Sequence, residues 1–421
     1  MNKVEIEKLN INGEGVCALD GKKLCVKGVL PGEIANVEIV QQKGNFLQGK
    51  LINICSPAHI RICPKCEYVG SCGGCDFMFA NAQDVLAIKK QIMQEYFKPL
   101  FAGDIVSNAS AKDYHFRNKV AFAVDGEKIG LREGGSHAIC EISNCIVASE
   151  NINIVLKIAK KWLKTAKNCQ ICHIVARDID EHVCICVVTR KKIDNAILID
   201  FGKELEKAFG ENFGLFENIN TSRDKIFGEK CNFIFGEEKL PLQRFGIKTF
   251  VRPLSFFQIN DDVSSKMYER VAGEISNEIV VEGYSGAGLL SCIMAKRAKE
   301  VFSVEIEKQA TNDANDAKIL NKLDNLHNIN GDCNVQMKKL LFKHKGATVV
   351  LDPPRSGVGK GTLEMILQTL PQKIVMISCN PYTLKQNLVF LSKSYQIEAF
   401  EIFDMFPQTF HIESLVVLKR K

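Results

Sequence analysis

From about Val251 to the C-terminus the chain alternates apolar strand and helix, through EIVVEG, LLSCIMAKRA, EVFSVEIE, TVVLDPP and KIVMISCN. Short apolar strands separated by helices predict a doubly wound α/β sheet, with ligands held at the carboxyl ends of its strands. Upstream the pattern changes. Residues 1-55 are short β-runs broken by glycine turns (VEIEKL, GEGVCALDGKKLCV, PGEIANVEIV, FLQGKLINI), the spacing of a small β-barrel. Residues 56-82 contain CPKCEYVGSCGGC, Cys63 to Cys75, which has neither helical nor strand periodicity and reads as organised by a metal. An amphipathic helix is predicted near residues 83–97, with Val85, Ile88, Ile92, Met93 and Tyr96 on one side. It opens a region with VAFAV, VCICVV and CNFIF strands, an α+β middle domain extending to residue 250. The expected division is therefore 1-55, 56-82, 83-250 and 251-421.

Composition narrows the setting. Hydrophobic residues make up 46% of the 421 and charged residues 25%, and no apolar run approaches the roughly 18 residues needed to cross a bilayer, so no membrane partner is expected. The opening MNKVEIEKLNINGEG has no apolar stretch of the secretory kind, and the 17 cysteines are an odd number. Together these predict reduced thiols in the cytoplasm, some of them binding metal or doing chemistry. Lys and Arg exceed Asp and Glu by 55 minus 49, or +6. That mild, dispersed excess permits a polyanionic partner without establishing one. The densest basic stripe is Lys157, Lys160, Lys161, Lys164 and Lys167, opposite Val155, Ile158, Ala159, Trp162, Leu163 and Ala166; it could track phosphates, but an ordinary solvated helix face is the better reading.

In EIVVEGYSGAGLLS a strand runs into Gly283, Gly286 and Gly288 and then a helix, a turn that lets backbone approach a nucleotide-like ligand. Nineteen residues past Gly286, Glu305 ends the next strand, placed to accept hydrogen bonds from ribose hydroxyls. These two features fit NAD and S-adenosylmethionine equally. Asp332 after a third strand, and Asp352-Pro353-Pro354-Arg355 after a fourth, resemble class I methyltransferases. Enzymes that methylate base nitrogens typically carry an aromatic residue after the two prolines, and Arg355 offers none. The strand KIVMIS then delivers Cys379 into Ser378-Cys379-Asn380-Pro381 at the same end of the sheet, where a thiol is positioned for chemistry.

FFQIN (Phe256 to Asn260), the glycine loop, LDPPR, SCNP and DMFPQTFHIE (Asp404 to Glu413) occur in an order that resembles the RNA uracil-C5 methyltransferases, specifically the iron-sulfur type acting on 23S ribosomal RNA. The resemblance runs through the chain and implies a TRAM domain, an RNA-binding barrel, over residues 1-55. It implies that Cys379 adds to carbon 6 of uracil and that Glu413 removes the carbon 5 proton; from the residues alone, His411 is the more obvious base. It implies contacts to S-adenosyl-L-methionine or the target base from Gln258, Tyr284, Glu305, Asp332 and Asp352. Leu289 stands where relatives often have a small polar residue, which removes a hydrogen bond from the donor's methionine end. Cys66, Cys72 and Cys75 match the cluster motif, Cys145 fits as the distant fourth ligand, and a 4Fe-4S cluster is implied. Cys63-x2-Cys66 with Cys72-x2-Cys75 also suits zinc, although the five-residue gap is short for a zinc ribbon. The expected partner is RNA, ribosomal first and transfer RNA second, with no stable protein partner and a monomeric chain. A non-catalytic RNA-binding adaptor is the reading from another class, and it needs neither Cys379 nor Glu413.

Overall fold

The computed structural model describes residues 2–166, 169–222 and 224–421. Residues at the N-terminus form a six-stranded sheet in the spatial order Asn2–Glu5, Ile34–Lys43, Phe46–Ser56, Lys22–Val26, Gly15–Leu19, Lys8–Leu9. Ile6 N–H donates to Glu33 O and Glu7 N–H to Val16 O, so consecutive residues bond to opposite edges and the sheet curls on itself. Val4, Leu24, Val26, Ala35 and Val37 fill the interior. Glu33 is fully buried and is bound by the Arg61 guanidinium and by the Leu30 and Ala58 N–H groups, tying the barrel to the segment that follows.

The middle of the chain builds a seven-stranded sheet in the order Ile139–Glu141, Lys128–Arg132, Lys119–Asp125, Ile171–Ile179, His182–Thr189, Phe213–Ile219, Cys231–Gly236. Helices Glu150–Trp162 and Asn195–Phe209 pack on it, with Trp162 stacked on Phe201 at 4.3 Å. Such a pair contributes about 0.5–1.5 kcal/mol beyond its buried area. Lys157, Lys161 and Lys164 are exposed and Lys160 half-buried on the first of these helices and its end; Lys167 lies outside the described residues.

The last sheet has eight strands in the order Leu326–Asn330, Glu300–Glu305, Ile279–Gly283, Thr348–Leu351, Lys373–Ser378, Glu413–Arg420, Tyr395–Phe403, Val106–Asn108. The first five are parallel, and Glu413–Arg420 is inserted antiparallel between its neighbours. Apart from its last strand this is the doubly wound order with a reversed strand that marks class I methyltransferases, the fold class read from the sequence. Packing crosses the division expected at residue 251. Val106–Asn108 pairs in parallel with Tyr395–Phe403, and helix Ala82–Phe97 lies against this sheet rather than the middle one, its Phe97 ring 4.9 Å from Phe400. That helix buries Val85, Leu86, Lys89, Met93 and Phe97, whereas Ile88, Ile92 and Tyr96 sit at the margin. Among the described residues no helix is long and apolar enough to cross a membrane.

Candidate active site

Strand register assembles the site. Ser378 pairs with Ser414 in the antiparallel ladder, so the next residue outward on each strand, Cys379 and Glu413, face each other where the sheet ends. Asn380 holds the cysteine turn: its side chain caps helix Pro381–Leu391 through the Tyr382 N–H at 3.0 Å and donates to the Arg355 carbonyl at 2.9 Å. Asn380 thus ties the turn to the Asp352-Pro353-Pro354-Arg355 loop. The Cys379 thiol is pushed up to about 11 by burial, then by the Glu413 carboxylate, with Arg355 pulling it down and Asp352 pushing it up. Burial and Asp352 together raise the Glu413 carboxyl well above its ordinary value, and desolvation lifts Asp352 to about 7. His411, the alternative base, is exposed, whereas Glu413 is 3% exposed.

Two residues that the motifs did not single out complete this acidic cluster. Glu282, 1% exposed, accepts from the Ser291 hydroxyl and is pushed up to about 8 by burial, with Asp352 and Glu305 adding to it. The buried Tyr268, on helix Asp261–Gly273, has its hydroxyl raised by burial and then by the charges of Asp352, Glu413 and Glu282. Neither carries a local signal, since one sits in an apolar strand and the other on an ordinary helix face. A cluster of carboxyl groups held out of water suits a cationic or electron-deficient ligand and disfavours an anionic one.

The glycine turn lies beside it. Gly286 and Gly288 adopt φ of 56° and 78°, and Tyr284 a φ of 65°. A Cβ on Gly288 would meet Ala314 Cβ at 2.5 Å, whereas one on Gly286 would point into open space, as a ligand's approach requires. Glu305 accepts from the Gly286 N–H at 2.8 Å and from the Glu307 N–H at 2.9 Å, so the turn presets its carboxylate. Tyr284 accepts from the Gly359 N–H at 3.1 Å. Asp332 is exposed and caps helix Cys333–Lys343 through the Asn334 N–H at 2.7 Å. The Gln258 carbonyl accepts from Asn118 Nδ2 at 3.0 Å. Leu289 opens the helix after the turn and is 8% exposed.

The cysteine segment has only turns and isolated bridges, among them Cys72 to Glu133. Cys66, Cys72, Cys75 and Cys145 are half-buried, and the Cys75 thiol, raised to about 12 chiefly by burial, also feels the other three. Cys145 is fixed by its N–H donating to Asn153 Oδ1 at 2.8 Å. Cys63 is exposed. Among the described residues no three His, Cys, Asp or Glu side chains are gathered as a single metal ion requires. The same segment grips the loop leading to Glu413. Phe77 N–H donates to Gln408 O at 3.1 Å and Phe410 N–H to the Asp76 carboxylate at 2.9 Å, and from the helix that follows, buried Lys89 pairs with Asp404 at 2.7 Å.

The tRNA (uracil-5-)-methyltransferase family model matches residues 81–421, and the TRAM model matches residues 3–52. The chain belongs to the tRNA (uracil-5-)-methyltransferase family. A protein described as an uncharacterized RNA methyltransferase of Caldanaerobacter subterraneus is similar at 31% identity, over 99% of this chain and 98% of the relative. Another from Thermotoga maritima is 28% identical over 99% of both. In fold, the chain is similar to the crystal structure of Pyrococcus abyssi tRNA (uracil-54, C5)-methyltransferase in complex with S-adenosyl-L-homocysteine. The TM-score is 0.79 and the identity 23%, over 99% of this chain and 100% of that one. The protein is thus an RNA methyltransferase with a TRAM domain, and the reading of it as a non-catalytic adaptor is corrected by the family match.

Proposed function

We propose that this enzyme transfers a methyl group from S-adenosyl-L-methionine to carbon 5 of a uridine in RNA, with 23S ribosomal RNA as the target. The observation that carries the reading is the pairing of Cys379 with Glu413 across one register step, beside Asp352. Carbon 5 of uracil is too weak a nucleophile to take the methyl unaided. The Cys379 thiolate adds to carbon 6, forming a carbon–sulfur bond and placing electron density on carbon 5, which takes the methyl from the sulfonium and leaves S-adenosylhomocysteine. Glu413 removes the carbon 5 proton, and the electron pair so released expels the Cys379 thiolate. Asp352, Glu282 and Glu305 face the donor, with Tyr284, Asp332 and Gln258 completing its surroundings. Attack on carbon 6 needs an unstacked base, so the target is a loop or flipped uridine.

As the motif resemblance implies, the half-buried Cys66, Cys72, Cys75 and Cys145 thiols, of which Cys75 feels the other three, would hold a 4Fe-4S cluster. The reaction has no redox step, and its role is to stiffen the segment whose Asp76 and Phe77 hold the Glu413 loop. Iron, sulfide and zinc stoichiometry of anaerobically purified protein tests this; colourless protein with one zinc refutes it.

The catalytic reading is tested with 5-fluorouridine-substituted RNA, whose fluorine Glu413 cannot remove as a proton. A denaturation-resistant protein–RNA adduct is expected, and its absence, or its persistence in Cys379→Ala, refutes the mechanism. Transfer RNA is the second target, favoured by the family model's description. Methyl transfer to unmodified 23S and transfer RNA transcripts separates the two.

A further inference from the structure

Between the middle sheet and the methyltransferase sheet lies a small internal pocket whose lining includes Asn118, Arg177, Arg244, Gln258, Tyr268 and Leu289. Arg177, on strand Ile171–Ile179, is 3% exposed. Its Nη2 donates to Ser255 O at 2.8 Å and its guanidinium lies 5.3 Å from the Phe257 ring centroid, but Nη1 has no partner, and neither has Asn118 Oδ1. The adjacent Arg244 is matched by Asp180 and Asp261. Asp261 also lines the pocket and accepts from Asn118 Nδ2 at 2.7 Å, but Arg177 itself forms no ion pair among the described residues, and burial pulls its guanidinium down to about 10. A buried guanidinium without a counter-ion is unfavourable, and an unused donor beside an unused acceptor marks a place completed by a ligand.

Position narrows the ligand. Leu289 follows the Gly286–Gly288 turn directly, and Tyr268, which lines the pocket with it, feels the charges of Asp352, Glu413 and Glu282. One side of Tyr268 therefore suits a cation and the other an anion. The free space in the pocket is about 10 Å³, the scale of a single oxygen atom, which admits the tip of a carboxylate and excludes a base. S-adenosylmethionine carries a sulfonium and, a few bonds away, an α-carboxylate and α-ammonium. Resting on the donor assignment above, we infer that Arg177 Nη1 binds one oxygen of the donor's α-carboxylate, the only part of the donor that this pocket admits. The middle sheet then supplies the anchor that Leu289, lacking a polar group, does not.

Calorimetry on the full chain tests this with S-adenosylhomocysteine and its decarboxylated analogue. Wild type is expected to prefer the carboxylate form by about tenfold or more, the loss typical of a charge-assisted hydrogen bond. In Arg177→Met that preference disappears through weaker binding of S-adenosylhomocysteine alone, and Arg177→Lys is intermediate. Melting temperatures without ligand report whether each variant folds; should Arg177→Met not fold, Arg177→Lys decides. A variant that keeps the full preference, or that weakens both ligands equally, overturns the inference and leaves Arg177 a structural residue with a buried water. Failure of the wild type to bind either ligand overturns the donor assignment itself.

Discussion

Replacing Glu413 with glutamine separates the two halves of the proposed reaction. Cys379 is pushed from an ordinary 9.0 up to about 11. At pH 8 roughly one molecule in a thousand then carries a thiolate, against roughly one in ten for an unperturbed thiol. That hundredfold is worth about 2.7 kcal/mol at the addition step. Burial is its first cause and the ionised Glu413 carboxylate its second, so wherever Glu413 is deprotonated Glu413→Gln, which keeps the volume and removes the charge, returns part of it. Addition of Cys379 to carbon 6 is expected to accelerate, at pH values where Glu413 is ionised, by a factor that cannot exceed about a hundred. The rising limb of its pH profile moves to lower pH. Turnover on ordinary uridine RNA falls about 100- to 10,000-fold, because nothing removes the carbon 5 proton. Rapid-quench measurement of adduct formation with 5-fluorouridine RNA across pH reads the first step, and steady-state methylation reads the whole. Slower addition in Glu413→Gln, a limb displaced to higher pH, or turnover within tenfold of wild type would refute the reasoning.

Other perturbations read different parts of the molecule. His411→Ala leaves turnover within a fewfold of wild type, since the exposed imidazole is not the base; a loss matching Glu413→Gln would reassign that role. Lys89→Met strands the Asp404 carboxylate and costs about 3–5 kcal/mol in denaturant unfolding, and Lys89→Met with Asp404→Leu recovers much of it. Gly288→Ala forces a Cβ against Ala314 at a φ of 78°, costing about 1–3 kcal/mol in unfolding and weakening S-adenosylhomocysteine binding in calorimetry. Asp352 at about 7 and Glu282 at about 8 hold their protons more tightly folded than unfolded. Their contribution is intact below about pH 4 and lost as pH rises through 7 to 8. The ligand-free melting temperature should therefore fall over that window, and Glu282→Gln should flatten the fall.

What the sequence displayed and what it concealed divide by how far apart in the chain the interacting groups lie. The glycine turn with Glu305, the Asp352 loop and the Cys379 turn were legible because each is a contiguous stretch at a strand's carboxyl end, and strand–helix alternation places those ends together. Periodicity identifies an element without naming the surface that buries it. Helix Ala82–Phe97 is legible, yet its attachment to the last sheet depends on partners distant in the chain, Phe400 against Phe97 and Asp404, 315 residues on, against Lys89. Val106–Asn108 is too short to announce itself and becomes a strand only by pairing with Tyr395–Phe403. Tyr268 and Arg177 show the same limit at the site. A tyrosine on a helix and an arginine in a strand are locally unremarked; burial beside groups contributed by other elements is what gives each a chemical part. Contact between the middle and methyltransferase sheets therefore does more than assemble the chain. It sets a cation-accepting cluster and an unpaired guanidinium on two sides of one phenol, an arrangement that neither sheet contains alone.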